Sequence, residues 1–379
     1  MKVMTIVGAR PQFIKAAAVS KAFAAQGNIT EVLVHTGQHF DENMSDVFFA
    51  ELGILQPAYN LGIGGRSHGA MTGAQLIEIE RILLSEKPDW VLVYGDTNST
   101  LSGALAAAKL HIPVAHVEAG LRSFNRTMPE EINRVLTDQM STLLFAPTVL
   151  AMRNLAQEGI KAQLCFQVGD VMFDASLFFG ELASHKSMIL DSLKLKAGNF
   201  ILATVHRAEN TDDLGHLKVV LSAMDTISKT LPVVWPVHPR TLKQLETHHL
   251  ASHIGSGVRL IDPVGYLDML MLERNAALIT TDSGGVQKEA FFYGVPCVTM
   301  RTETEWVELV EAGWNRLAPL TDPASVVSVI LAALGTKGQA IKPYGDGYAG
   351  NRIAEIICNW RGNADAGDNP ARIIRYEEH

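Results

Sequence analysis

Short apolar runs alternate along the chain with longer segments whose apolar residues recur at helical spacing. The short runs have the length and composition of strands buried on both faces, and they end in polar or glycine-containing loops. The predicted strands span residues 3–7, 31–35, 90–94, 113–117, 143–146, 164–168, 200–205, 233–237, 258–261, 277–279 and 295–300. Strands that alternate with helices are typical of parallel sheets, so we predict an α/β fold.

The alternation occurs twice, which predicts two Rossmann-like domains facing each other across a cleft. A chain of 379 residues also exceeds what one hydrophobic core holds and favours two domains. The most polar passage in mid-chain is 186–199, and we place the boundary there. The predicted division is an N-terminal domain at 1–185, a C-terminal domain at 186–360 and a polar, weakly ordered tail at 361–379.

Composition and charge narrow the classes of function. The formal net charge of −8 argues against a nucleic-acid binder, because phosphate contacts need a basic surface. The three cysteines are scattered without metal-ligand spacing, which is typical of a reducing compartment. The first residues lack the features of a signal peptide, and no apolar run reaches the ~20 residues of a membrane helix. We therefore predict a cytoplasmic protein without a metal site and without a membrane partner.

A phosphate site is predicted where an apolar run at 277–279 ends in Thr-Thr-Asp before Ser283, Gly284 and Gly285. These three residues open a segment with helical spacing. The unpaired N–H groups at the positive end of such a helix bind phosphate. Glu289, about one and a half turns further on, is placed to accept hydrogen bonds from a ribose. The alternative is an ordinary turn before a helix, with Ser283 as the N-cap.

The first strand is followed at once by G-A-R-P-Q-F-I-K at 8–15, which begins with Gly8 and has a proline near a helix start. Ligands of parallel sheets bind at the carboxyl ends of the strands. Arg10 lies on this turn and Lys15 one turn into the helix, so both cations are aimed at that edge. The alternative is an arginine that caps the strand end and a solvated lysine.

Three carboxylates fall at strand ends or in the loops that follow, and they are Asp96, Glu118 and Glu130. The topology of a parallel sheet brings them to one edge, where carboxylates destabilise each other and are rarely kept for stability alone. The alternative for Glu130, with Glu131 beside it, is a first-turn carboxylate that favours the helix dipole. His116 and Glu118 resemble the H-x-E of zinc deaminases, but the required P-C-x-x-C is absent and excludes that class.

The second half repeats this arrangement of polar residues at strand ends. The motifs that follow its strands are H-R-A-E-N at 206–210, H-P-R at 238–240, D-P-V-G-Y at 262–266 and R-T-E-T-E-W at 301–306. The cleft is therefore predicted to hold a phosphate on the side of the second domain and a carboxylate cluster on the side of the first.

Taken together, these residues resemble the non-hydrolysing UDP-N-acetylglucosamine 2-epimerase family. The resemblance runs to about residue 360 and rests on G-A-R-P-Q-F-I-K, T-G-Q-H, G-D-T-N-S-T, H-V-E-A-G-L-R, P-E-E-I-N-R, V-H-R-A-E-N, P-V-H-P-R, D-S-G-G-V-Q-K-E and P-Y-G-D-G in the family's order. It implies the two-domain glycosyltransferase B fold, UDP bound mainly by the C-terminal domain, no nicotinamide cofactor and a homodimer. It also implies a place in surface polysaccharide biosynthesis, such as that of an O-antigen.

The resemblance assigns a role to each matching position. It places Asp96, Glu118 and Glu130 near the reacting sugar. The residues that it implies for the diphosphate are Arg10, His206, Ser283, Gly284 and Gly285, with His206 also counted among the catalytic residues. It implies Glu289 for the ribose and Lys15 as a structural or ligand-orienting lysine. The residues that would shape the cleft are Arg207, His238 and Asp262.

The expected chemistry follows from the substrate. No carbonyl acidifies the proton on carbon 2 of a UDP-2-acetamido sugar. Breaking the anomeric C–O bond first gives an oxocarbenium-like centre that makes this proton acidic, while the diphosphate leaves as a stabilised anion. A carboxylate then removes the proton to give a 2-acetamidoglucal. Protonation from the other face and return of UDP give the epimer, so two proton carriers are needed. The sequence leaves open which carboxylate serves which face.

Two substrates stay open, UDP-N-acetylglucosamine and UDP-2,3-diacetamido-2,3-dideoxy-glucuronate. The stretch after T-G-Q-H, with R-S-H-G-A-M-T-G, V-Y-G-D-T-N-S-T and A-E-N-T-D-D, resembles more closely the family branch that acts on the second in O-antigen synthesis. The second has an extra carboxylate, for which Arg66, His39 and His68 are candidate partners, the alternative being surface residues. Family members with an allosteric substrate site carry a polar set after T-G-Q-H, whereas this chain continues F-D-E-N-M-S. Regulation by substrate is therefore left open.

Other classes of protein share some of these features. A retaining glycosyltransferase has the same fold and diphosphate site but needs an acceptor surface, and no segment stands out as one. A hydrolysing epimerase shares the elimination and lets water attack the glycal. A non-catalytic sugar-nucleotide binder is disfavoured, since clustered carboxylates repel an anionic ligand.

Overall fold

Two parallel sheets organise the chain, each within its own contact unit. The computed structural model describes residues 1–38, 49, 52–250 and 254–361. Contacts group residues 1–175 with the segment from 342 onward into a first unit, and residues 176–341 into a second unit. The α/β fold with two parallel sheets that the sequence predicts is confirmed.

The sheet of the first unit has seven parallel strands in the order β3-β2-β1-β4-β5-β6-β7. The chain enters at the centre with β1, moves outward to β3, and returns to the other side of β1 with β4. Apolar side chains such as Met4 and Ile6 pack with Ile79 and Ile82 in the core beneath the sheet. The strands are β1 (Lys2–Val7), β2 (Thr30–His35), β3 (Tyr59–Asn60), β4 (Trp90–Tyr94), β5 (Val114–Val117), β6 (Leu143–Ala146) and β7 (Cys165–Gln167).

Helices connect these strands, as parallel pairing requires. The first helix, Arg10–Gln26, begins with a proline in its first turn and ends at Gly27, whose φ of 70° is in the left-handed region that favours glycine. The other helices that begin in this unit are His68–Glu86, Asn98–Lys109, Pro129–Met140, Val149–Gln157, a 3₁₀ turn at Ala162–Leu164, Val171–Lys186 and Ala349–Asn359.

The sheet of the second unit has six parallel strands in the order β10-β9-β8-β11-β12-β13. Its strands are β8 (Ile201–Thr204), β9 (Val233–Pro236), β10 (Val258–Ile261), β11 (Leu278–Thr281), β12 (Cys297–Thr299) and β13 (Asn315–Leu317). Its helices are Ile189–Ser192, Ala208–Thr211, Leu214–Ser228, Pro239–Thr247, Tyr266–Asn275, Gly284–Phe292, Val307–Glu311 and Pro323–Ala333. Here too the chain enters at the sheet centre and reverses beside its first strand.

The helix Ala349–Asn359 belongs to the first unit, whereas the predicted C-terminal domain at 186–360 had included it. It packs on the helix Arg10–Gln26, where a methyl group at Gly350 would lie 3.1 Å from the Ala18 carbonyl oxygen. The Gly350 amide donates to Asp174 at 2.7 Å. Burial of the apolar face of this helix against the first helix accounts for its return. The division between the units falls inside the helix Val171–Lys186, ahead of the polar passage 186–199.

Some predicted features lie outside the described residues. They include most of the helix predicted near 43–52 and the tail beyond residue 361. Among the helices that are described, none combines the length and apolar character needed to cross a membrane.

Candidate active site

Strands β1 and β4 are neighbours at the point where the first sheet reverses its order, and ligands of open α/β sheets bind at such points. Gln12 ties the two loops of this edge together. Its side-chain oxygen accepts from the Gly8 and Ala9 amides at 2.8 and 3.0 Å, and its side-chain nitrogen donates to the Tyr94 carbonyl at 2.6 Å. A methyl group at Gly8 would lie 2.1 Å from the Ser99 Oγ, so glycine permits this close approach.

Lys15 and Glu118 form an ion pair at this edge. The Lys15 Nζ contacts the Glu118 Oε2, and the two side chains are 13% and 7% exposed. Glu118 has a φ of 69°, in the left-handed region, which costs a residue other than glycine about 1–2 kcal/mol. Non-glycine residues keep such a conformation only where their surroundings hold them in it. The pairing with Lys15 supplies one such constraint.

Asp96 is paired with an arginine that the sequence did not single out. The Nε and Nη2 of Arg134 donate to one Asp96 oxygen at 3.0 and 2.8 Å, and its Nη1 donates to Glu131 at 2.6 Å. Asn133 donates to the Asp96 carbonyl oxygen at 2.8 Å. Arg134 therefore joins the loop after β4 to the helix Pro129–Met140.

Glu131 anchors a second loop to the same helix. It accepts from the Ser123 and Phe124 amides, both at 2.9 Å. Burial works to raise the pKa of Glu131, but these two amides and Arg134 outweigh burial, so the pKa of this carboxyl lies below its usual value. Glu131 therefore serves as an ionised anchor.

The helix Pro129–Met140 turns its polar face inward. Glu131 and Asp138 are buried, whereas Ile132 and Leu136 are 42% and 46% exposed. The predicted carboxylate Glu130 is exposed in the first turn, and its catalytic role stays a prediction. The inward face could have been found from the charged residues alone, since 131, 134 and 138 have the i, i+3, i+7 spacing of one helix face.

His116 lies in β5 and is fully buried. Its Nδ1 is 2.6 Å from an Asp138 oxygen, and its Nε2 is 2.8 Å from the Gly95 carbonyl oxygen. Asp138 also accepts from the Gly120 amide at 3.0 Å and pairs with Arg122 at 2.7 Å. Burial acts to raise the pKa of Asp138, but the lowering by His116 and Arg122 is larger, so the pKa lies below its usual value. Both ring nitrogens of His116 are thus engaged within the protein.

In the second unit, β8 and β11 are neighbours at the corresponding reversal, and Asp282 follows β11. This carboxylate is fully buried. It accepts from the His206 amide at 3.1 Å, the Arg207 amide at 3.0 Å and the Asn210 side chain at 3.0 Å. Asp282 therefore orders the loop after β8, a role that the sequence analysis missed although D-S-G-G was one of its motifs.

The helix Gly284–Phe292 begins just after Asp282, with Ser283 as its N-cap residue. A carboxylate already lies near this positive helix end, because a methyl group at Gly284 would be 2.2 Å from the Glu305 Oε1. Arg301 pairs with Glu305 at 2.9 Å, and Arg207 is 4.0 Å from it. Burial raises the pKa of Glu305, but Arg301 and Arg207 contribute to a net lowering. This end of the helix is thus suited to anions.

His206 lies beside Asp282, which precedes this helix, with its Nδ1 3.4 Å from an Asp282 oxygen, and His238 is a neighbour of His206. The rings of His206 and His238 are 5.9 Å apart. Burial, followed by the neighbouring His206 and Arg240, lowers the pKa of His238. A cavity of about 400 Å³ lies in the same unit, and its lining residues are Val237, Leu242, Leu260, Ile261 and Asp262.

Glu289 is 8% exposed on the helix Gly284–Phe292, and the Tyr266 hydroxyl lies 3.5 Å from it. Glu273 is a fully buried neighbour whose pKa burial raises well above its usual value, with Glu289 adding to the effect. Glu289 therefore lies near the Tyr266 phenol and near Glu273, a carboxyl whose raised pKa favours its neutral form.

The remaining candidates come from the N-terminal part of the chain. Arg10 is half-buried at the start of its helix. Arg66 and His68 are exposed, and the His68 Nδ1 lies 3.1 Å from the Asn98 side-chain nitrogen. His39 lies outside the described residues. In the part of the chain that is described, no group of three or more His, Cys, Asp or Glu residues is arranged to hold a metal ion.

Comparison with known proteins gives matches over nearly the whole chain. The family profile described as UDP-N-acetylglucosamine 2-epimerase matches residues 21–358. A Pseudomonas aeruginosa protein named UDP-2,3-diacetamido-2,3-dideoxy-D-glucuronate 2-epimerase is 53% identical, over 94% of this chain and 99% of its own length.

Solved structures match to a similar extent. The crystal structure of Methanocaldococcus jannaschii UDP-GlcNAc 2-epimerase in complex with UDP-GlcNAc and UDP superposes with a TM-score of 0.85 at 45% identity, covering 94% of this chain and 99% of that one. The Neisseria meningitidis UDP-GlcNAc 2-epimerase bound to UDP-GlcNAc has a TM-score of 0.84 at 32% identity, covering 94% and 100%.

Proposed function

The chain belongs to the UDP-N-acetylglucosamine 2-epimerase family and is an isomerase, and from this premise we propose that it inverts carbon 2 of a UDP-2-acetamido sugar by elimination and re-addition of UDP. The observation that supports this proposal most directly is a pair of loops in the first unit, where Lys15 contacts Glu118 and Arg134 is paired with Asp96. Two proton transfers at one carbon require two proton carriers, and two ion-paired carboxylates at one sheet edge can supply them.

The first step is cleavage of the anomeric C–O bond. The electron pair goes to the departing diphosphate, and the oxocarbenium-like sugar loses its carbon 2 proton to a carboxylate, leaving UDP and a 2-acetamidoglucal. A carboxylate must be ionised to accept a proton, and a neighbouring cation favours that form. Glu118 and Asp96 both have a cation as a partner. Glu130 is retained as a third candidate carrier because it begins the helix on which Arg134 lies.

The second unit would hold the leaving group. The amides at the start of the helix Gly284–Phe292 and the side chain of His206 would bind the diphosphate, with Ser283 as a further donor. The role of Arg10 at the diphosphate stays a prediction from the family resemblance. Glu289 would accept hydrogen bonds from the ribose. The cavity beside His238 has an apolar lining and a volume of about 400 Å³, which suits a flat base. Arg207 and Asp262 would shape its rim.

Two substrates fit this proposal. UDP-N-acetylglucosamine needs only the groups named above. UDP-2,3-diacetamido-2,3-dideoxy-glucuronate carries one more carboxylate, and His68 favours it because Asn98, its partner, lies 3.4 Å from the Asn133 that holds the Asp96 carbonyl. His68 thus adjoins the proposed proton carriers, and Arg66 lies two residues away.

The test is exchange of the carbon 2 proton in D₂O, followed by NMR with each sugar separately and without added NAD. Deuterium at carbon 2 together with the manno epimer is the expected result. Release of free sugar and UDP instead would favour a hydrolysing epimerase. Bound UDP with no exchange for either sugar would contradict the proposal and favour a glycosyltransferase.

The two substrates are separated by the variants Arg66→Ala and His68→Ala. If the glucuronate is the substrate, both variants should lower kcat/KM for it about tenfold, the typical loss for one hydrogen bond to a charged group, and should leave UDP-N-acetylglucosamine turnover unchanged. An equal loss with both sugars would remove this assignment.

We further propose a cytoplasmic homodimer that supplies surface polysaccharide biosynthesis. The three cysteines support the compartment, since Cys165 and Cys297 are buried free thiols and Cys358 is a half-buried one. Sedimentation equilibrium over a range of concentrations would test the dimer, and a monomer at all of them would contradict it.

A further inference from the structure

The sheet edge of the first unit contains a buried pair that the proposed mechanism does not use. His116 lies in β5 and Asp138 in the last turn of the helix Pro129–Met140, and they are 0% and 1% exposed. Neither can touch a substrate from such a position. The role of this pair therefore depends on the groups that it contacts inside the protein.

Both nitrogens of the His116 ring face oxygens that only accept hydrogen bonds. These are an Asp138 carboxylate oxygen at 2.6 Å and the Gly95 carbonyl oxygen at 2.8 Å. With an acceptor at each nitrogen, the ring bridges the Asp138 carboxylate to the Gly95 carbonyl. The partner carboxylate is paired on its other side with Arg122, which also contacts Glu158 at 2.7 Å. The ring therefore adjoins a row of alternating charges formed by Asp138, Arg122 and Glu158.

Stability alone explains this row poorly. Taking ions out of water is costly, and well-packed apolar residues of similar volume often serve a core equally well or better. Buried ion pairs are better accounted for by the geometry that they fix. The relevant geometry here is that of two loops, because Asp138 reaches one loop through His116 and the other directly.

Each loop is held next to a proposed proton carrier. The Gly95 carbonyl belongs to the peptide group that leads into Asp96, so the bond from His116 fixes the backbone at that aspartate. The Gly120 amide donates to Asp138 at 3.0 Å, two residues beyond Glu118. This second bond supports the left-handed backbone of Glu118, whose φ is 69°.

We propose that His116 and Asp138 are positioning residues, a clamp that sets the loops carrying Asp96 and Glu118 at the separation that proton transfer requires. The clamp rests on the proposed function, since it presupposes that these two carboxylates carry the proton. A displacement of about 1 Å in a reacting group costs on the order of 100-fold in rate, so loosening the clamp should act on turnover.

The first variant is Asp138→Asn, which keeps the side-chain volume. An asparagine oxygen can accept from His116, but its nitrogen cannot accept from Gly120 or Arg122. We expect kcat to fall about 100-fold while KM is unchanged. The affinity for UDP should also be unchanged, because the proposed UDP site lies in the second unit.

The second variant, His116→Gln, keeps a donor for the Gly95 carbonyl and removes the ring nitrogen that faces Asp138. Its kcat should lie between the wild-type value and that of Asp138→Asn. The matched control is Glu31→Gln. Glu31 is a carboxyl of the same unit whose pKa burial raises, and it accepts from Thr5 near the amino end of β2. This control should leave kcat unchanged, whatever its effect on the melting temperature.

The readouts are deuterium incorporation at carbon 2, the folded fraction by circular dichroism, and UDP binding by calorimetry. Wild-type protein that incorporates no deuterium contradicts the proposed function itself. Wild-type exchange with equal exchange in both clamp variants overturns the clamp. A loss that merely follows the folded fraction, with full kcat per folded molecule, would also overturn it by showing a purely structural role.

Discussion

The two sheets reverse their strand order in the same way, yet the edges at the two reversals hold opposite chemistry. In the first unit, charged side chains meet each other, as Lys15 does Glu118 and Arg134 does Asp96. In the second, the buried Asp282 gathers main-chain amides of the loop after β8. One topology thus supports either paired side-chain charges or a buried carboxylate that orders a backbone loop.

The difference separates two tasks that conflict in a single site. A carboxylate cluster accepts protons and repels a diphosphate, whereas a helix start beside ordered amides binds a diphosphate. We therefore expect substitutions at the first edge to change turnover and substitutions at the second to change affinity. Each of the following variants tests this separation.

Glu118→Gln should lower kcat about 1000-fold, within the range for loss of a general base, because an amide cannot carry the proton. It should leave UDP affinity unchanged. Carbon 2 exchange measures the first quantity and calorimetry the second. Turnover within tenfold of wild type would remove Glu118 from the proton carriers, and weaker UDP binding would break the separation.

Asp282→Asn should weaken UDP binding about 10- to 100-fold, since hydrogen bonds to a charged acceptor contribute about 1.5–3 kcal/mol and this one orders the His206 and Arg207 amides. Turnover at saturating substrate should be little changed. Asp191→Asn is the control, because Asp191 is an exposed carboxylate of the same unit, on the helix Ile189–Ser192, with no place in the proposed site. Equal losses in the two variants would contradict a special role for the buried carboxylate.

Arg134→Lys should lower kcat about tenfold without changing UDP affinity. Arginine makes two bonds to Asp96 and one to Glu131, while the single ammonium of lysine cannot reproduce this fork. Steady-state kinetics with both parameters resolved would measure the effect. A raised KM at unchanged kcat would show that the arginine acts in binding, and would contradict the assignment of turnover to the first edge and affinity to the second.

The smallest effect concerns His238. Burial, His206 and Arg240 lower its pKa, so the ring is neutral at pH 7 and gains its proton only below the usual value of about 6.5. A bound diphosphate favours the charged ring, so affinity for a UDP-sugar should rise as pH falls from 7 to 5, by at most about fivefold for an exposed pair.

His238→Gln should flatten that rise, and the difference between the two titrations isolates this histidine. A UDP-sugar is the suitable ligand, because its diphosphate stays ionised throughout this range. Identical curves for the variant and the wild type would place His238 away from the diphosphate.

The sequence predicted the fold class well because the buried strands leave a strong pattern. The run at 90–94, for example, coincides with β4, an apolar segment bounded by a proline-containing turn and a glycine. Two strands were missed, Tyr59–Asn60 and Asn315–Leu317. Two or three residues are too few to show a period, and only their neighbours in the sheet define them.

Periodicity fails for the helix Pro129–Met140 because two of its apolar residues, Ile132 and Leu136, are exposed. Its inward face is charged and pairs with loops that are distant in sequence, as when Asp138 meets His116. Motifs identified the loops that hold candidate residues. They did not identify the partners Arg134, Asp138 and Asp282, because pairing between strand ends depends on the register and order of the sheet.

The return of the helix Ala349–Asn359 to the first unit has a consequence for the order of synthesis. The ribosome completes residues 1–175 long before residue 342, and the intervening 166 residues take about 8–33 s at 5–20 residues per second. During this delay the face of the helix Arg10–Gln26 that receives Ala349–Asn359 has no native cover. The second unit, being continuous, is complete first. The earliest residues made are therefore among the last to be finished, and a nascent chain stalled near residue 340 is the form that a chaperone would meet.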